Sequence, residues 1–198
     1  MTVLTKREQT RARILDVAAR ALRRAGFDGV GVADVMKGAG LTHGGFYAHF
    51  DSREALLVEA LEHADASSSP RLDLRAAALR EAGANPVAAV IASYLSDEHL
   101  ASRESGLGCV VGALGSEMAR QEGLLRDVAR ARIERLVSSV QAALEEGGQD
   151  RDAVPGQALA LAGAMVGTLQ IARTFGPGEQ GVAMLAASRQ ALLAQYAR

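Results

Sequence analysis

Apolar residues recur every three or four positions through almost the whole chain, and glycine, proline and serine mark the gaps between runs. That periodicity predicts an all-α fold. Ile14, Leu15, Ala18, Ala21, Leu22 and Ala25 place a helix over about 6–25, stopped by Gly26, behind a frayed tail at 1–5. Val32, Val35 and Met36 mark a short second helix, which Lys37-Gly38-Ala39-Gly40-Leu41 breaks. Thr42 is placed to cap a third short helix. His43, Tyr47 and His49 take its polar positions, and Phe46 and Phe50, four apart, its apolar side. Asp51 is the predicted cap of a longer helix with Glu54 as its capping-box partner. Leu57, Ala60, Leu61 and Ala64 stripe that helix to about 66, and Ser67-Ser68-Ser69-Pro70 reads as its end.

The second part of the chain repeats the pattern at greater length. A short helix is expected over 71–81. Pro86, tolerated at a first helical position, opens another to about Leu95, with an added turn over 96–100 and a loop over 101–106. Residues 107–120 read as an apolar helix despite Gly108, Gly112 and Gly115. Each costs ~1 kcal/mol relative to alanine, a cost that suits close approach by a backbone or a ligand. Residues 123–146 form the best-patterned helix of this part, with Leu125, Ala129, Ile133, Leu136, Val137, Val140 and Leu144 as its buried stripe. The helix over 155–175 is apolar nearly all round and must be covered on every side. Its apolar core from Ala158 to Ala172 is interrupted by Thr168 and Gln170 and is shorter than the ~20 residues of a membrane span. A last helix covers about 179–197.

Composition sharpens this picture in three ways. The net charge of the 198 residues is −1, but it is unevenly spread. Residues 1–53 hold nine basic and five acidic side chains, so a basic amino end sits on an acidic body. The single cysteine, Cys109, excludes an intrachain disulfide framework and a CxxC zinc site. The first residues are polar and basic, without the apolar stretch of a signal peptide, so a cytoplasmic protein is expected.

Two short helices around a glycine-bearing turn, the second one polar, form a helix-turn-helix. Within it, Ala39-Gly40-Leu41-Thr42, Gly44, Phe46-Tyr47, His49-Phe50 and Ser52-Arg53-Glu54-Ala55-Leu56-Leu57 resemble the DNA-binding domain of the tetracycline-repressor (TetR) family of bacterial regulators. The resemblance covers residues 31–57 and implies a homodimeric, all-α, ligand-responsive regulator. It divides the chain into a helix-turn-helix domain at 1–50, a connecting helix from 51 to about 66, and an effector-binding and dimerisation domain at 67–198. Across the motif from Gly31 to Phe50 and just beyond it, the residues it implies at DNA are Thr42, His43, Gly44, Gly45, Tyr47, His49 and Arg53. Arg53 stands where the family often has lysine. Gly31 replaces a usual threonine cap, Met36 a usual alanine, and the Gly44-Gly45 pair leaves few side chains to read bases.

The family pattern also implies that the last two helices form a four-helix bundle across a two-fold axis, helped by Gly163 and Gly167 four apart. Such a dimer reads a pseudo-palindromic double-stranded operator. The expected mechanism is release of that operator by an unknown small molecule. Candidate effector-lining residues are Tyr94, Cys109, Leu114, Met118, Met165 and Phe175. Cys109 admits a second reading: a helix amino end favours thiolate, and some TetR-like regulators with a Gly-Cys helix start sense oxidants, whereas Leu107, Val110 and Val111 beside it favour burial. No catalytic constellation, metal-ligand spacing or cofactor motif is present. The reading of another class is a helical binding protein or enzyme without operator function.

Overall fold

The computed structural model describes residues 5–197; of the predicted tail at 1–5, residues 1–4 lie outside the described residues and Thr5 is the cap of the first helix. Among the described residues there are nine α-helices, one 3-10 helix and no strand. They are α1 (Lys6–Ala25), α2 (Val32–Gly38), the 3-10 helix His43–Ala48, α3 (Arg53–Glu81), α4 (Pro86–Tyr94), α5 (Asp97–Ser105), α6 (Val110–Met118), α7 (Gly123–Glu146), α8 (Val154–Phe175) and α9 (Glu179–Tyr196).

α1 opens on a reciprocal cap. The Thr5 hydroxyl accepts from Glu8 N at 3.3 Å, and Thr5 N donates to the Glu8 carboxylate at 2.7 Å. Gly26, at φ 74°, closes it. Ile14, Ala18 and Leu22 are fully buried against the amino half of α3, where Leu56, Ala60, Leu61 and Ala64 are equally buried. α2 and the 3-10 helix close this unit over Val35, Met36, Phe46 and Phe50. The body is formed by the rest of α3 with α4–α9; α7, α8 and α9 pack in sequence, and α4 bridges α3, α7 and α9. α5 and α6 also touch α1, so the two parts share a contact beyond α3.

Four expectations change. The predicted break at Ser67–Pro70 does not exist: α3 is one helix of 29 residues with Pro70 inside it. The serines turn their hydroxyls back onto the helix, Ser67 and Ser68 to Ala64 O at 2.8 and 3.1 Å, and Ser69 to the Asp65 carboxylate at 2.6 Å. Ser93 on α4 donates to Leu72 O at 2.7 Å, so tertiary packing carries the helix past the proline. The cap of α3 is Ser52, accepting from Ala55 N at 3.0 Å, and not Asp51, so Glu54 has no capping-box role. The expected loop at 101–106 belongs to α5, which Ser96 caps by accepting from His99 N and left-handed Gly106 ends. Thr42 holds the cap position of a 3-10 rather than an α-helix and makes no side-chain cap bond.

Two apolar stripes are also less covered than expected. Ile133 on α7 is exposed. α8 spans 22 residues, long and apolar enough by length and composition alone to cross a membrane, and so exceeds the stretch read from the sequence. Its Ala158, Leu161, Met165 and Leu169 are buried in the body, whereas Leu159, Ile171 and Phe175 are exposed.

Pro70 has no N–H for the helical bond to the carbonyl four residues earlier, and it faces solvent. Pro70→Ala is therefore expected to raise stability by about 1–3 kcal/mol, less the entropy that proline removes from the unfolded chain. Urea unfolding followed by circular dichroism measures it; an unchanged midpoint shows that α3 has already absorbed the missing bond.

Candidate functional site

The 3-10 helix presents a polar outer face on an aromatic base. Phe46 and Phe50 are 1% and 2% exposed and stack with centroids 5.7 Å apart. Tyr47, 72% exposed, leans edge-on against Phe46. Thr42, His43 and Gly44 are exposed on the same side. A Cβ at Gly44 meets no atom of the protein within 4 Å, so packing does not require glycine there. Gly45 is half-buried and lies over Met36, whose Cε is 3.6 Å from where a Cβ would stand.

Basic residues hold this turn from behind. Arg7 donates to Ala48 O at 3.0 Å and Arg11 to His49 O at 3.5 Å, two carbonyls at the end of the 3-10 helix. Arg11 also lies 4.8 Å above the Phe50 ring and pairs with Glu59 on α3. The structure gives Arg53 a similar duty. Its guanidinium donates to Phe27 O at 2.6 Å and Val30 O at 3.0 Å, tying the start of α3 to the α1–α2 turn. Arg53 is nonetheless exposed, and its second terminal nitrogen makes neither of these two bonds. His49 is half-buried, and its Nδ1 is buried with no hydrogen-bond partner among the described residues.

The six effector candidates do not converge. Tyr94 and Cys109 share a cavity of about 80 Å3. Leu114, Met118 and Met165 are core residues outside it, and Phe175 is on the surface of α8. The charged wall of the cavity was not foreseen. Asp65, on α3, accepts from Arg132 at 2.9 Å and Arg135 at 3.2 Å, both on α7. Leu72, Val90, Val111 and Leu136 make the apolar wall. Periodicity places Asp65 at the end of a predicted helix and both arginines on the polar side of α7; nothing local signals that they meet.

Behind this cavity lies a polar knot around His99. Its Nδ1 is 2.6 Å from Tyr94 O and its Nε2 accepts from Cys109 N at 3.4 Å, so the neutral ring, protonated on Nδ1, satisfies both neighbours. Tyr94 stands edge-on to it at 4.8 Å and points its hydroxyl to Cys109 Sγ at 3.9 Å. Burial pushes His99 down from 6.5 to about 4 and pushes the Cys109 thiol up. The helix amino end therefore does not make Cys109 a ready thiolate. Among the described residues no group of three His, Cys, Asp or Glu side chains is placed to hold a metal ion.

Residues 14–60 match the family described as bacterial regulatory proteins, tetR family. No curated protein matches the chain in sequence. Among solved structures, a TetR transcriptional regulator from Chloroflexus aurantiacus J-10-FL superposes with a TM-score of 0.80 at 22% identity, over 98% of each chain. A TetR-family regulator from Cytophaga hutchinsonii gives 0.80 at 19% identity, over 99% of this chain and 97% of that one. The reduced form of Escherichia coli NemR gives 0.71 at 23% identity, over 92% and 96%. The amino-terminal unit is thus a tetR-family helix-turn-helix domain, and the chain as a whole has the fold of TetR transcriptional regulators.

The knot around His99 sets a pH dependence. Between its lowered folded value and its ordinary one, the unfolded chain binds a proton that the folded chain excludes. Stability then falls as pH drops from about 6.5 toward about 4, by at most about 3 kcal/mol. His99→Gln is expected to lower stability at neutral pH but to flatten this slope; urea midpoints measured across the window check it. An unchanged slope places the acid sensitivity elsewhere.

Proposed function

We propose that the chain is a homodimeric transcriptional repressor, cytoplasmic and without catalytic activity. It grips a pseudo-palindromic operator through the 3-10 turn and releases it when a small molecule enters the cavity beside Tyr94. The observation that carries this reading is the continuity of α3. Its first turns, from Leu56 to Ala64, are the floor of the DNA head, while Asp65, Ser69, Leu72, Asp73 and Ala76 line the cavity. At 1.5 Å per residue the helix is roughly 43 Å long, and a displacement at the cavity moves the head without an intervening hinge. Two further bonds join the parts. Arg23 on α1 donates to Gly106 O at the end of α5, and Glu117 on α6 accepts from Phe27 N at 3.0 Å.

In this reading Thr42, His43 and Tyr47 meet the duplex, Gly44 lets the backbone come close, and His49 lies at the edge. Arg7, Arg11 and Arg53 hold the turn in place. The exposed apolar edge of α8 supports pairing with a second copy. Leu159 is 65% exposed and Ile171 58%, and Cβ atoms at Gly156, Gly163 and Gly167 meet nothing within 4 Å. α9 buries only Gly181 and Leu185 of its own chain's contacts. Two copies of α8 and α9 make the four-helix bundle that covers this face. A thiol-switched variant has the NemR structure, solved in a reduced form, on its side. The buried, high-pKa Cys109, single in the chain, supports a packing role instead.

Gel shifts with DNA from upstream of the protein's own gene, against random DNA, test the reading surface. His43→Ala is expected to cost about 10–100-fold on the specific fragment and little on random DNA. Equal losses on both fragments remove His43 from base reading. Sedimentation at micromolar concentration tests the assembly: the wild type is expected as a dimer and Leu159→Asp as a folded monomer. A monomeric wild type, or a variant dimer of undiminished affinity, moves the interface off α8.

A further inference from the structure

Where the carboxyl end of α1 meets α5, α6 and α8, a second cavity of about 360 Å3 opens between head and body. It differs in kind from the one beside Tyr94. Arg23, Arg24, Arg103 and Arg173 are among the residues that line it, and among the described residues its one carboxylate is Glu117. Arg23 and Arg173 are 6% and 7% exposed. Neither pairs with a carboxylate among the described residues. Arg23 donates to the carbonyls of Gly106 and Ala64 and to the Ser67 hydroxyl. Arg173 donates to Gly112 O at 2.7 Å and His99 O at 3.3 Å. The Nε of each is buried with no hydrogen-bond partner among the described residues. Desolvation lowers both below the usual arginine range, Arg23 to about 10. Glu117 is already engaged by Phe27 N, over the bare Cα of Gly26.

Buried cations held only by neutral acceptors are costly, and the cost falls when an opposite charge arrives with hydrogen-bonding oxygens. Planar guanidinium groups match the paired oxygens of phosphate and carboxylate. The opening has room for such a group. We propose that this cavity is a binding site for a small oxyanion, phosphate or polycarboxylate, enclosed by Arg23 and Arg173 within and by Arg103 at the mouth. Because Arg23 belongs to α1 and the other two arginines to the body, the bound anion braces the head against the body. The inference is independent of operator binding and of the cavity beside Tyr94.

Isothermal titration of the full-length protein with sodium phosphate and, separately, sodium citrate tests it, in chloride buffer of constant ionic strength. A saturable heat is expected with at least one anion. Tighter binding of phosphate or of citrate tells which chemistry the site takes. Arg103→Gln, at an exposed position, is expected to weaken binding about tenfold. Glu117→Gln keeps an oxygen for Phe27 N, removes the competing negative charge and is expected to tighten binding. Circular dichroism melts confirm that both variants fold. Absence of saturable heat with both anions, or equal affinity in the wild type and Arg103→Gln, overturns the proposal.

Discussion

One guanidinium group connects the three parts on which the architecture depends. Arg23 leaves the last turn of α1 and reaches the end of α5 at Gly106 and the middle of α3 at Ala64 and Ser67. A buried arginine held this way cannot be truncated cheaply, because two carbonyls and a hydroxyl lose their donor together. It also fixes where the head sits. α1 cannot slide along α3 without giving up one acceptor set, and α5 is held against α1 as well as against α8 and α9. Arg53 does the same work on a smaller scale by fastening the α1–α2 turn to the start of α3.

Local signals in the chain were sufficient where helices begin and end on strong caps. The stop of α1 at Gly26 and the cap of α4 at Asn85-Pro86 follow from residues within one turn of each boundary. They misled where tertiary contacts decide. Ser67–Pro70 has the composition of a break, yet its hydroxyls bond back to α3, and α4 crosses it. The exposure of Thr42, His43 and Tyr47 was legible, since they alternate with the phenylalanines that anchor the 3-10 helix. Gly45, facing Met36, and Arg53, with partners 23 and 26 positions earlier, were not. Tyr94 and Cys109 do line one cavity. Asp65 lies 67 and 70 positions before the arginines that meet it, and no periodicity carries that distance.

The glycines around α6 acquire a reason from the same long-range geometry. A Cβ at Gly108 would stand 2.7 Å from the Arg173 guanidinium, and one at Gly112 would stand 2.8 Å from Leu169 and 3.3 Å from both Arg173 and Tyr94. Arg173 can therefore approach the backbone and donate to Gly112 O. At Gly112, inside α6, the helix propensity lost, ~1 kcal/mol, is exchanged for a buried charge-assisted bond between α6 and α8, while Gly108 lies just before that helix. Gly115 is looser, with Gln170 at 3.5 Å, and nothing in the structure demands it.

The distribution of tyrosines has an optical consequence. The chain has no tryptophan and three tyrosines, so no indole dominates its near-ultraviolet emission. Tyr47 is exposed on the 3-10 helix, Tyr94 is enclosed beside the body cavity, and Tyr196 is half-covered at the end of α9. Each belongs to a different working part of the molecule. Replacing any two with phenylalanine leaves a chain whose remaining phenol is a built-in fluorophore for one place, without any attached dye.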